Sequence, residues 1–107
     1  TDGPFLYRTR GGRLLMIWSS FIKGGNYALG VAASKSGKVS GPWRHSPDVL
    51  FGEDGGHGMI FKDFTGALQL VLHQPNGGNL ERAHLFKLKE ENDRLFLVKQ
   101  AVGLELK

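Results

Sequence analysis

The stretch Asp54–Phe61, DGGHGMIF in one-letter code, opens the second of two similar halves of this sequence. Glycine lets the backbone turn or approach another group closely. His57 therefore lies between glycines at the start of an apolar, strand-like run. Two interpretations remain open. The imidazole is a ligand or hydrogen-bond donor in a crowded centre, or it belongs to an ordinary turn and is satisfied by a backbone carbonyl.

The two halves repeat at a shift of 54 residues, found by laying the loop glycines Gly12 and Gly66 on each other. Apolar runs bounded by turn residues then coincide, and each half reads as four antiparallel strands. The matching segments are Phe5–Arg8 with Met59–Lys62, Leu14–Trp18 with Leu68–Leu72, Leu29–Ala32 with Ala83–Phe86, and the region of Trp43 with Arg94–Val98.

Four-stranded antiparallel units that recur every 50 residues or so are typical of β-propeller blades. The sequence therefore predicts an all-β fold made of two consecutive blades, with blade one at about residues 1–48 and blade two at about residues 56–103. The alternative is an eight-stranded sandwich or barrel whose halves are similar by coincidence, because the apolar strands of any all-β fold can be aligned with one another to some extent.

Composition narrows the class of protein further. A chain of 107 residues with 40% hydrophobic and 22% charged residues is typical of one globular domain. No apolar run approaches the roughly 20 residues of a membrane span, and the lack of cysteine excludes disulfides and thiolate metal sites. The net charge of +4 is spread along the chain, so we expect no nucleic-acid partner. Because the chain opens on Thr1 without Met, we expect a longer natural polypeptide.

In a propeller, the N-terminal ends of the innermost strands open on the central channel. The repeat places Asp2-Gly3 and Gly56-His57 at this position in neighbouring blades. We therefore expect a carboxylic acid and an imidazole to converge on one cavity, which is an arrangement suited to chemistry.

Four motifs in this order resemble glycoside hydrolase family 43, the five-bladed propellers that cut arabinose- and xylose-containing polysaccharides with inversion. They are Asp2–Arg8 (DGPFLYR), Ser40–Trp43 (SGPW), Gly56–Gly58 (GHG) and Leu72–Gln74 (LHQ). The resemblance covers the whole chain and implies the last two blades of that fold. It also favours a secreted or periplasmic location, with the cytoplasm left open.

The resemblance assigns roles to three residues. Asp2 stands where the family carries its general acid, although the family usually has Glu there, longer by one methylene. Asp2 therefore acts with substrate sitting closer, or the acid lies elsewhere, or the protein is not a standard hydrolase. His57 and His73 are implied to line the channel, with a calcium ion or its waters near His57.

The family's mechanism also needs a base and a further Asp, and the resemblance implies that both lie in earlier blades outside this chain. Most of the other acids are expected to be solvated turn residues, and Asp54 is the least ordinary because it is close to His57. These acids are Asp48, Glu53, Asp54, Asp63, Glu81, Glu90, Glu91, Asp93 and Glu105. The expected partners are a plant-type polysaccharide and the upstream blades. Self-association is the alternative, through open flanks that would expose side chains such as Leu15, Ile17 and Leu70.

A rival hypothesis from another functional class is a propeller that only binds a sugar or a protein. Trp18 or Trp43 would supply the binding surface, since aromatic rings offer large rigid contact areas. Trp18 aligns with Leu72, which favours a place in the core.

Overall fold

The computed structural model describes residues 2–22, 25–75 and 82–100, with the backbone alone at residues 2, 99 and 100. Within these ranges the chain forms eight β-strands and no helix, so no helix of the described part is long and apolar enough to cross a membrane. The strands are β1 (Asp2–Arg8), β2 (Leu14–Phe21), β3 (Tyr27–Ser34), β4 (Trp43–His45), β5 (Gly56–Lys62), β6 (Leu68–Gln74), β7 (Arg82–Glu91) and β8 (Arg94–Gln100).

The strands form two separate four-stranded antiparallel sheets, ordered β1-β2-β3-β4 and β5-β6-β7-β8. Each sheet is a simple meander, and within the described residues no strand of one half pairs with a strand of the other, which excludes the barrel alternative. The predicted all-β pair of four-stranded blades is confirmed. The blade limits stay a prediction, because the expected end near residue 103 lies outside the described residues.

The turn between the first and second strand has the same backbone hydrogen bond in both sheets. In the first sheet the Thr9 N–H donates to the Arg13 carbonyl at 2.9 Å, and in the second the Asp63 N–H donates to the Ala67 carbonyl at 2.9 Å. Gly12 and Gly66 take the left-handed conformation in these turns, with φ of 92° and 87°. Only glycine adopts such angles without steric cost, which explains why these two residues fixed the alignment of the repeat.

The apolar core lies between the two sheets and is made by one face of each. Ile17 and Leu29 of the first sheet are fully buried against Leu70 of the second. Gly58 allows this close packing, because a Cβ there would lie 3.0 Å from Leu70 Cδ1 and 3.1 Å from Leu29 Cδ2. The rest of the cluster is formed by Phe51, Ile60, Leu72, Phe86 and Leu88.

The expectation about which residues lie on the open flanks of the two sheets is wrong. Leu15, Ile17 and Leu70, expected to be exposed, are 3%, 0% and 0% exposed because they face the other sheet. The alternation of a strand places the opposite residues on the outer faces. These are Leu6, Met16 and Trp18 on the first sheet and Met59, Phe61 and Val71 on the second.

A polar latch joins the sheets at the end where β1 and β7 finish. Glu90, whose side chain is 5% exposed, accepts the Tyr7 hydroxyl at 2.6 Å and the Arg10 N–H at 2.8 Å. Asp93 accepts the Thr9 hydroxyl at 2.8 Å. Glu90 is an exception to the expectation that most of these acids are solvated turn residues, because it lies in β7 and its side chain is largely buried.

Candidate functional site

The two innermost strands begin with the same irregularity, and this irregularity builds the site. Asp2 pairs with Ser19 and Gly56 pairs with His73, and in both strands the register then slips before Phe5 or Met59. The residue inside each bulge is left-handed, with φ of 52° at Gly3 and 56° at His57. Bulges of this kind often redirect a side chain next to a functional site.

His57 is thus a histidine at the position where the first sheet has a glycine. A left-handed backbone costs roughly 1–2 kcal/mol for a residue that has a Cβ. Such strain is found at functional sites, where the surrounding structure holds it in place. Here the His57 N–H donates to the Ser19 hydroxyl at 2.7 Å, across the interface between the sheets.

The imidazole of His57 is exposed and lies against the backbone of Gly3. A Cβ on Gly3 would lie 2.9 Å from His57 Cγ, so the ring occupies space that any other residue at position 3 would need. The strand start that carries Asp2 and the bulge that carries His57 are therefore in direct contact. The side chain of Asp2 lies outside the described part, and its role as the general acid stays a prediction.

His73 completes a pair of imidazoles at this end of the sheets. Its ring centroid is 6.0 Å from that of His57, with 41° between the planes, and 6.1 Å from that of Tyr27, which it stacks on at 27°. The structure therefore brings the two histidines together. That they line a propeller channel stays a prediction.

Three further residues at this site were not expected from the sequence. Tyr27 is 4% exposed and closes the space beside Gly56, where a Cβ would lie 2.7 Å from its Cε2. Ser19 accepts a hydrogen bond from the His57 backbone. The repeat aligns Ser19 with His73, and this was the one feature of the sequence that could have placed it at the site. Phe21 packs on Tyr27 with a centroid separation of 5.0 Å.

Asp54 attaches the loop before β5 to the first sheet. Its Oδ1 accepts the Tyr27 N–H at 3.2 Å, and the neighbouring Gly55 N–H donates to the Tyr27 carbonyl at 3.1 Å. The loop is thereby fixed to the first sheet on both sides of the Tyr27 backbone.

The described residues do not by themselves make a metal centre. Within the described ranges, no group of three or more His, Cys, Asp or Glu side chains could hold an ion. Calcium takes six to eight oxygen ligands, whereas His57 offers one ring nitrogen. This donor set does not fit a calcium site built from the described residues.

A separate groove of about 730 Å³ lies between the outer strands of the two sheets. Leu15, Val31 and Leu97 form part of its apolar wall, and Arg44 is among its polar residues. Neither His57 nor His73 is among the residues that line it. We place the candidate site at the two bulges, because the strand start of Asp2 and the rings of His57 and His73 lie together there.

Comparisons with known proteins agree with this fold. No protein-family model matches the sequence, and a search of curated proteins gives no significant match. Among solved structures, the chain is similar to the endo-arabinase from Bacteroides thetaiotaomicron, with 45% sequence identity and a TM-score of 0.80. That match covers 86% of this chain and 32% of the endo-arabinase.

Two more distant structures show the same fold. A thermostable family-43 glycoside hydrolase is 21% identical with a TM-score of 0.74, over 94% of this chain and 36% of that one. The α-L-arabinanase of Cellvibrio cellulosa, complexed with arabinohexaose, is 19% identical with a TM-score of 0.58, over 91% and 36%. The resemblance to glycoside hydrolase family 43 and its propeller fold is confirmed, and the chain spans about a third of the length of each of these proteins.

Proposed function

We propose that this chain is the C-terminal part of a glycoside hydrolase that cleaves arabinose-containing polysaccharides by inverting hydrolysis. The 45% identity to an endo-arabinase supports the substrate class. The family resemblance extends the proposed substrates to xylose-containing polysaccharides. The observation that carries the proposal is the contact between the His57 ring and Gly3, because it joins an exposed imidazole to the strand start of the proposed acid.

In the proposed reaction, the carboxyl group of Asp2 gives its proton to the glycosidic oxygen as the bond from that oxygen to the anomeric carbon breaks. A second carboxylate takes a proton from a water molecule, which attacks the same carbon from the opposite face. Inverting enzymes hold these two carboxyl groups about 6.5–9.5 Å apart. We assign the second carboxylate to a part of the polypeptide outside this chain.

His57 has two tasks in this proposal. Its backbone, held by Ser19, sets the bulge against Gly3 and so fixes the strand start that carries Asp2. Its ring, exposed at the same place, contacts a substrate hydroxyl or a water molecule. No step is assigned to calcium, because the described donor set does not fit that ion.

The outer faces support the proposal that further sheets of the same polypeptide, or a second copy of it, cover this pair. Leu6 on one flank is 42% exposed, and Met59 and Phe61 on the other are 54% and 42% exposed. Trp18 Nε1 is buried on the first flank and has no hydrogen-bond partner within the described residues. Buried donors normally have an acceptor, which a neighbouring sheet would supply.

The test is to incubate the full-length polypeptide with linear arabinan and arabinohexaose and to follow the anomeric configuration of the first product by NMR. We expect arabino-oligosaccharides released with inverted configuration. Asp2→Asn should slow this release, because it removes the proposed proton donor. Asp48→Asn is the matched control and should leave it unchanged, because Asp48 is exposed in the loop before β5. Retention of configuration would reject the mechanism, and binding without cleavage would favour the purely binding propeller.

A further inference from the structure

Phe21 is an exposed aromatic ring whose position the core does not explain. It ends β2 and is 62% exposed, although burial of such a side chain is favourable. Single exposed apolar residues are common, so exposure alone carries no argument. The contacts of Phe21 are the informative feature, because its ring leans on Tyr27 at a centroid separation of 5.0 Å.

Phe21 is the outer end of a row of four rings that starts at His57. Successive centroid separations are 6.0 Å from His57 to His73, 6.1 Å from His73 to Tyr27 and 5.0 Å from Tyr27 to Phe21. Tyr27 is buried and His73 is half-buried, whereas the two end members are exposed. The inner rings therefore support an exposed ring at each end.

A covering sheet on the outer flank does not account for Phe21. In β2, Phe21 shares its face with Ile17 and Ser19, and this face is turned toward the second sheet. The outer flank of the same strand carries Met16 and Trp18. Phe21 thus lies on the face turned toward the second sheet and next to Tyr27, whose ring stacks on His73 of the candidate site.

We propose that Phe21, backed by Tyr27, is a sugar-stacking subsite that makes the enzyme prefer long oligosaccharides. This inference rests on the proposed function. His73 and Tyr27 connect Phe21 to His57 through successive ring contacts, and the proposal assigns the sugar on Phe21 to a unit other than the one cleaved beside His57. A flat aromatic face packs against the apolar face of a sugar, and the buried Tyr27 holds that face in place.

The test compares arabinotriose with arabinohexaose in the full-length polypeptide, by hydrolysis rate and by calorimetric affinity. Loss of one aromatic contact is expected to reduce kcat/KM of Phe21→Ala on arabinohexaose about five- to tenfold. We expect arabinotriose to change less than about twofold, within the scatter of surface substitutions. Phe21→Tyr should restore the preference for the longer chain.

Phe64→Ala is the matched control, since Phe64 is fully exposed in the turn between β5 and β6. It should leave both substrates unchanged. Equal loss of arabinotriose and arabinohexaose in Phe21→Ala, or no loss on either, would overturn the inference. A wild-type protein that hydrolyses neither sugar but binds arabinohexaose through Phe21 would reject the proposed function and keep the subsite.

Discussion

The backbone N–H of His57 donates to the side-chain hydroxyl of Ser19 at 2.7 Å, and this bond crosses from one sheet to the other. Ser19 pairs with Asp2 on its own sheet. One serine therefore connects the strand start of the proposed acid to the bulge that carries the imidazole. The geometry of the site depends on how the sheets pack, and substitutions at the contact should affect both stability and activity.

Gly3→Ala should be more damaging than an ordinary glycine substitution. Ala at φ of 52° meets the left-handed penalty of roughly 1–2 kcal/mol, and its Cβ would also lie 2.9 Å from His57 Cγ. Gly12→Ala is the control, because Gly12 has φ of 92° and nothing within 4 Å of its Cβ position. Urea unfolding should show a larger loss for Gly3→Ala, and activity should fall for that variant alone. Equal losses would mean that the ring does not occupy this space.

His57→Gly should stabilise the protein while lowering its activity. Removing the Cβ relieves the left-handed strain, and after the entropy cost of glycine we expect a gain of about 0.5–1 kcal/mol in unfolding free energy. Asn92→Gly, at φ of 53° in the turn between β7 and β8, is the control and should leave activity unchanged. If His57→Gly keeps full activity, the ring has no functional task.

The Glu90 latch should contribute more to stability than an exposed ion pair. Glu90→Ala leaves the Tyr7 hydroxyl and the Arg10 N–H without their acceptor, at a cost of about 1–3 kcal/mol. Glu91→Ala is the comparison, since its bridge to Lys89 at 3.5 Å is exposed, and such pairs contribute about 0–1 kcal/mol. Thermal unfolding of the two variants provides the measurement. Similar losses of stability at both positions would show that the Glu90 hydrogen bonds contribute no more than an exposed ion pair.

The same latch should give a pH dependence in the alkaline range. Burial and the hydrogen bond to Glu90 raise the pKa of Tyr7 from 10.0 to about 12. Because the pKa is raised on folding, this contribution to stability is fully present below about pH 10 and is lost as the pH rises toward 12. Tyr7→Phe should remove this step from the stability profile. Ultraviolet absorbance of tyrosinate should show a late ionisation in the folded protein that Tyr7→Phe removes.

The sequence predicted the fold because the repeat is visible in it. Gly12 and Gly66 occupy the same turn, and the shift they define also places Gly3 on His57, which share a left-handed bulge. The latch was not predictable, since Tyr7 and Glu90 are far apart in sequence and no local pattern links them. The flanks were misassigned because alternation defines two faces of a strand without stating which face meets the other sheet. For the same reason the rings of Phe21 and Tyr27 were not connected with His73.

The role of Asp2 is tested most directly by the leaving-group dependence of Asp2→Asn in the full-length polypeptide. If Asp2 protonates the leaving oxygen, the variant should cleave substrates with poor leaving groups far more slowly than wild type. It should lose much less rate on aryl arabinosides with an activated leaving group, which need little proton donation. Equal losses on both substrates, or rates near wild type on both, would contradict the assignment of Asp2 as the general acid.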